Sequence, residues 1–161
     1  MSLRIKRMNQ HYAVDILCWK YPKPYDFYNN ILTADAIIQL LSNKYYVILD
    51  ENNALIGFFC TGRSAQAPAG DSVGVYNEDC VDIGLGMKPE LTGKGKGYDF
   101  FSYILTFVEE NHQGSDIRLT VATFNERAIH LYEKAGFIKH GSFSNDEADF
   151  ITMRREPISR A

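Results

Sequence analysis

Cysteine and histidine are scarce: three cysteines, Cys18, Cys60 and Cys80, and four histidines are scattered over 161 residues. An odd, dispersed set of thiols without CxxC spacing excludes a disulfide framework. It also leaves no ligand cluster for zinc, so no metal is expected. Free thiols suit a reducing compartment, which points to a cytoplasmic protein. Long apolar runs are lacking too. No segment reaches membrane-spanning length, and the opening MSLRIKRMNQ has no apolar signal core, so no membrane partner is expected. Excess basic charge is the third absence. With a net charge of −3 and a sequence pI of about 5.8, a nucleic-acid footprint over the whole chain is excluded, and any anion must be bound locally.

What is present is the composition of an ordinary folded domain, 45% hydrophobic and 23% charged. The length suits one domain, 1–161, with one sizeable core. LRIKRM alternates apolar and charged residues, as a half-buried strand does. QHYAVDILCWK reads as a helix that ends at Pro22 and Pro24, in an aromatic-rich connection. Thr33 can cap a second helix in which Ala34, Ile37, Ile38 and Leu41 share a face. KYYVILDEN and ALIGFFCTG read as two strands joined at Asn52-Asn53. Residues 63–79 carry turn chemistry with little periodicity, and a loop of that length inside a compact domain points to a mobile lid. CVDIGLGM, IRLTVATF, FIKHGSFS and DFITMRRE read as further strands, with helices after residue 97 and over NERAIHLYEKAG. The order predicts an α+β or mixed α/β domain built on a central sheet.

Residues 93–97 read Gly-Lys-Gly-Lys-Gly and open an apolar helix pattern. A dinucleotide fingerprint fails, because Tyr98 stands where its third glycine belongs. A P-loop fails, because no hydroxyl residue follows either glycine-lysine pair. Two readings stay open: a plain tight turn, or a concave set of backbone N–H donors for a diphosphate, helped by Lys88, Lys94 and Lys96. In the strand before it, Val81, Ile83, Leu85 and Met87 alternate with Asp82, Gly84 and Gly86. One face is therefore nearly bare. Either a packed neighbour or a slender ligand fills it.

NERAIHLYEKAGF has Asn125 as an N-cap and Gly136 as a stop, with Ala128, Leu131, Tyr132 and Ala135 on one face. Taken with Pro89 and the glycine loop, this second block resembles the GNAT superfamily of N-acetyltransferases over roughly residues 82–137. The resemblance implies a GNAT-like fold: a central, mostly antiparallel, twisted sheet that splays between two parallel strands, flanked by about four helices. It further implies acetyl-CoA as co-substrate. Its pyrophosphate would lie on the loop formed by Thr92, Gly93, Lys94, Gly95, Lys96, Gly97 and Tyr98. Its pantetheine would pair with Leu85, Gly86 and Met87, and its far end would meet Asn125. Thr92 departs from the family, which usually has Gln or Arg there.

Family members transfer the acetyl group directly to an amine. On that basis Tyr132 is the candidate general acid for the leaving thiolate, and Asp82 is either the base for the amine or a carboxylate paired with Arg or Lys. The acceptor side maps onto the first helical region, with Trp19, Tyr21, Tyr25 and Tyr28 as candidate lining residues, and onto HGSFSNDEADF. The expected partner is a small-molecule or peptide amine, and the expected assembly a monomer or homodimer. A non-catalytic acyl-CoA sensor on the same fold is the alternative.

Overall fold

The computed structural model describes residues 2–42 and 44–157. The elements run β1 (Arg4–Arg7), α1 (Gln10–Leu17), α2 (Ala34–Ser42), β2 (Tyr45–Leu49), β3 (Leu55–Thr61), α3 (Pro68–Asp71), β4 (Val81–Met87), α4 (Gly97–Asn111), β5 (Ile117–Ala122), α5 (Glu126–Lys134), β6 (Ile138–Ser144) and β7 (Asp149–Arg155). The strands form one sheet in the order β1-β2-β3-β4-β5-β7-β6. The β1–β2, β2–β3, β5–β7 and β6–β7 pairs are antiparallel, and β4–β5 is parallel. The chain divides into two compact units, residues 1–60 with 85–97 and residues 61–84 with 98–161.

In the first unit, Asn9 caps α1 by accepting from the Tyr12 amide at 2.9 Å. Ala13, Ile16 and Leu17 of that helix are buried, the i, i+3, i+4 spacing of one helical face. Ile16 packs with Val47 and Leu49 of β2, whereas Ala13 and Leu17 pack with Leu40 of α2. Thr33 caps α2 as expected, its hydroxyl accepting from the Ala36 amide at 3.1 Å. The face of α2 differs from the expected one. Leu40 is buried with Ala36 and Ile37 against it, while Ile38 and Leu41 stand 58% and 44% exposed. Apolar residues cover two overlapping arcs of this helix, and the position of α1 selects between them.

In the second unit, α4 buries Phe100, Phe101, Ile104, Leu105 and Val108. The Phe101 ring lies 4.9 Å from Tyr132 of α5 and 5.7 Å from Phe137, just beyond it. Residues 63–79, expected as a loose loop, hold a 3-10 turn (Gly62–Ala65) and the short α3, which brings the α-helices to five among the described residues. The segment is anchored by Tyr76, whose hydroxyl accepts from the Ala67 amide at 2.9 Å and lies 2.7 Å from the Thr120 hydroxyl. Gly70 sits so close to Val75, Tyr76 and Phe143 that a Cβ there would meet side-chain atoms at 2.8–2.9 Å. Burial of a tyrosine and a glycine, which turn chemistry alone does not reveal, makes this a packed segment.

Two truncations test the face of α2. Leu40→Ala should destabilise the protein by about 2–5 kcal/mol, whereas Ile38→Ala should stay within about 0.5 kcal/mol of wild type. Urea melts that rank the two the other way would reinstate the face expected from periodicity.

Candidate functional site

β4 ends at Met87 and leads into a 3-10 turn, Pro89–Leu91. The Leu91 amide donates to the Lys88 carbonyl at 2.9 Å. Thr92 directs both its amide, at 3.2 Å, and its hydroxyl, at 2.7 Å, to the Pro89 carbonyl. Thr92 was expected to reach phosphate, but here its donors shape the turn. Gly93 and Gly95 follow with φ of +72° and +76°, the left-handed region that glycine enters without a Cβ penalty. Alternation of such residues with ordinary ones aims successive amides into one concavity. Among the described residues, the amides of 93–97 have no acceptor within the chain. A Cβ on Gly95 would meet nothing within 4 Å, so the backbone conformation, not crowding, demands glycine there. α4 starts at Gly97 and adds the positive end of its dipole, and Lys94 and Lys96 are exposed beside it. The arrangement can receive an anion.

The bare face of β4 is filled at Gly86. A Cβ there would lie 2.5 Å from the Phe58 ring, so the glycine is required by a neighbouring strand's side chain. Of the four aromatic residues expected to line an acceptor site, Trp19 packs 6.0 Å from the same Phe58 ring, beside the core of α1 and β2. Tyr25 and Tyr28 are half-buried in the 3-10 turn Tyr25–Tyr28. Tyr21 does something else: its hydroxyl donates to the Met87 carbonyl at 2.7 Å. Burial, aided by the carboxylate of Glu90, pushes its phenol up to about 12.

In the second unit, Asp82 lies opposite Arg118, its register partner across the parallel β4–β5 pair. Arg118 is only 1% exposed and Asp82 3%. The guanidinium donates to both carboxylate oxygens at 2.7 and 2.8 Å, and Gln66 donates to one of them at 2.8 Å. The remaining Arg118 nitrogen donates to the carbonyls of Glu78 and Val75. The hydrogen bonds it donates to Asp82 hold Arg118 above its ordinary pKa despite burial. Of the two roles open to Asp82, this geometry supports the paired carboxylate. Arg118 and Gln66 were not singled out in the sequence. The signal available was Arg118 itself, a charge among apolar neighbours in IRLTVA.

The parallel pairing covers only Val81↔Ile117, Asp82↔Arg118 and Ile83↔Leu119 among the described residues, although β4 continues to Met87 and β5 to Ala122. Asn125 caps α5, accepting from the Ala128 amide at 3.2 Å, and Gly136 ends it with φ of +96°. Tyr132 is 9% exposed, in the aromatic cluster with Phe101 and Phe137. Tyr98 lies beneath the Lys134 ammonium, 4.4 Å from its ring centre. Among the described residues no cluster of His, Cys, Asp and Glu could hold a metal ion, and no helix is long and apolar enough to cross a membrane.

The model of the acetyltransferase (GNAT) family matches residues 11–137. No curated protein sequence matches the chain. Among solved structures, a chimera of the spermidine N-acetyltransferase SpeG from Vibrio cholerae and hSSAT shares 19% identity, with a TM-score of 0.69 over 97% of this chain and 96% of that one. The aminoglycoside acetyltransferase AAC(6')-Ib in complex with ribostamycin and coenzyme A shares 18%, with a TM-score of 0.74 over 97% and 94%. The same enzyme with paromomycin and acetyl-CoA gives 19% and 0.74 over the same shares.

Replacing Arg118 by Met strands the Asp82 charge in a buried site and should destabilise by about 3–5 kcal/mol. The Asp82→Leu, Arg118→Met pair should recover part of that loss. A single variant within 1 kcal/mol of wild type, on the scale of an ordinary exposed ion pair, would show that the pair is not structural. Tyr21 gives a pH test. Its folded phenol holds its proton to about pH 12, against about 10 unfolded. The neutral form therefore stabilises the fold fully below pH 10, and that contribution is lost as the pH rises toward 12. Across this window wild type should lose more stability than Tyr21→Phe, and parallel pH–stability curves would contradict the assignment.

Proposed function

Because the chain belongs to the acetyltransferase (GNAT) family, we propose that it transfers the acetyl group of acetyl-CoA directly to a primary amine, 1–161 acting as a single acetyltransferase domain. The observation that carries this reading is the set of amides 93–97, at a helix start with two left-handed glycines and without acceptors among the described residues. A pyrophosphate presents oxygens to such donors, and Lys94 and Lys96 supply the charge that the uncharged Thr92 does not. The pantetheine arm is assigned to the backbone of Leu85, Gly86 and Met87, and its far end to Asn125. Tyr98 closes the same loop.

The step is balanced without a covalent enzyme intermediate. The amine nitrogen attacks the thioester carbonyl carbon, the C–N bond forms, the carbonyl oxygen carries the developing charge, and the C–S bond breaks. The nitrogen gives up one proton and the departing thiolate takes one. A β4 amide near Leu85 or Met87 stabilises the oxyanion, and the Tyr132 phenol supplies the thiolate proton. Burial pushes the Cys80 thiol up, which argues against a thiolate relay there. Asp82 is assigned a structural part, since its oxygens are occupied by Arg118 and Gln66. Water then takes the amine proton, a lighter task for an α-amine with a reference pKa near 7.8 than for a lysine near 10.4. The acceptor is assigned to the small amines, the class that the names of spermidine and aminoglycoside acetyltransferases state for those proteins.

The test is CoA release over a panel of polyamines, aminoglycosides, α-amino peptides and small amine metabolites, joined to calorimetry with acetyl-CoA. Gly95→Val, which forces a β-branched residue to a φ of +76°, should keep the fold and lose acetyl-CoA affinity. Tyr132→Phe should keep that affinity and lower turnover by about 10²–10⁴-fold. Unchanged binding in folded Gly95→Val would remove the loop assignment, and near-normal turnover in Tyr132→Phe would return the proton to water.

A further inference from the structure

The chain between α1 and α2 folds into a closed loop of its own. The Lys20 ammonium donates to the Asn30 carbonyl at 3.3 Å, the Tyr21 amide to the Asn29 side-chain oxygen at 2.7 Å, and the Tyr25 amide to the Pro22 carbonyl at 2.8 Å. From this loop the Tyr21 hydroxyl reaches across the unit to the Met87 carbonyl. The same Met87–Lys88 peptide is held at its other end, because the Lys88 amide donates to the Ile56 carbonyl of β3 at 2.8 Å. A peptide plane with both its polar ends engaged has little freedom to rotate. Beyond it the chain is stiff as well. Pro89 fixes its own φ, and the amides of Leu91 and Thr92 bond back to residues 88 and 89. Beyond Thr92, the amides of 93–97 have no acceptor among the described residues.

We infer that Tyr21 is a positioning residue for acetyl-CoA: by holding the Met87 carbonyl it fixes the exit of β4, and through the stiff run 88–92 it sets the direction of the amides 93–97. The inference rests on the proposal that those amides bind the co-substrate. It replaces the expectation that Tyr21 lines the acceptor site, since a hydroxyl engaged with a backbone carbonyl has already used its one proton. The raised pKa agrees with this placement, because the phenol stays a donor throughout the neutral range. A donor lost at one end of the peptide leaves the Met87 carbonyl half-buried without its partner. The plane is then free to turn, and the glycine amides turn with it.

The experiment is Tyr21→Phe, which keeps the ring, measured near neutral pH and well below the melting temperature. Acetyl-CoA should bind about three-fold to ten-fold more weakly, the factor that loss of one ordinary hydrogen bond corresponds to. KM for acetyl-CoA should rise with it, while KM for the amine and kcat stay near wild type. Tyr12→Phe, which removes a phenol hydroxyl from α1 in the same unit, should leave the affinity unchanged. Asn29→Ala loosens the Tyr21 amide without touching the phenol and should weaken acetyl-CoA binding in the same direction. It carries the test if Tyr21→Phe does not fold. Wild-type binding with unaltered affinity in the folded Tyr21 and Asn29 variants would overturn this inference alone. A wild-type protein that does not bind acetyl-CoA would overturn the proposed function and this inference together. A lower melting temperature with unchanged acetyl-CoA affinity and KM would make Tyr21 merely structural and equally overturn it.

Discussion

Asp82 and Arg118 face each other across the parallel strand pair, and much of the second unit depends on that contact. Two charges at 3% and 1% exposure are tolerable only when their polar atoms are matched. The matching draws in Gln66 from one side and the carbonyls of Val75 and Glu78 from the other. The connection between β3 and β4, residues 62–80, has little apolar content and would otherwise have few reasons to hold one conformation. The guanidinium supplies directional ones. It also lies over the Tyr76 ring, whose hydroxyl meets Thr120 of β5. One buried cation thereby ties strand pair and connection into a single polar network, and such a network is unforgiving because every member satisfies another.

The first unit relies on the opposite device. Around the outer end of β4 the constraints are neutral: a glycine beneath an aromatic ring, a phenol on a carbonyl, an amide on a neighbouring strand, a hydroxyl closing a turn. No charge has to be desolvated there. The neighbourhood keeps its positive potential in exposed lysines and in oriented amides, where an incoming anion can use it. An anion site made of backbone donors demands that the backbone be held, since side chains can adapt to a ligand and a peptide plane cannot do so without moving its neighbours. That is the physical reason for the density of hydrogen bonds just before the glycines.

The division of labour bears on the chemistry. With the Asp82 carboxylate committed to Arg118, the proposed reaction would be left to dipoles, one phenol and water. Direct transfer to an amine suits such a set, because the nucleophile brings its own lone pair and, in the proposed site, the charge that develops on the thioester oxygen would be met by a strand amide. It also suggests why the two tyrosines differ in kind. Tyr21 gives its proton to a backbone carbonyl and holds a shape. Tyr132 is held by Phe101 and Phe137 on a helix whose cap is Asn125, and a ring so fixed can present a proton in one direction.

The sequence by itself determined most of the elements and their order, since apolar periodicity, caps and breakers are local: Asn125 and Gly136 bound α5, and Thr33 caps α2. The two motif blocks and their spacing were enough to indicate the family, which the match over residues 11–137 bears out. What the tertiary structure decided concerns partners distant in the chain. Periodicity could not choose the face of α2, because its apolar arcs overlap and α1 does the choosing. It could not foresee that the bare face at Gly86 holds Phe58 or that the Tyr21 phenol sits on Met87. Nor could it select Arg118 as the partner of Asp82, since registering them needs the parallel pairing of β4 with β5. A sequence states what each residue can offer. Only the packed chain decides which offers are taken, because hydrogen bonds and van der Waals contacts act over a few ångströms, whereas the residues that make them are distant in sequence, 66 positions in the case of Tyr21 and Met87.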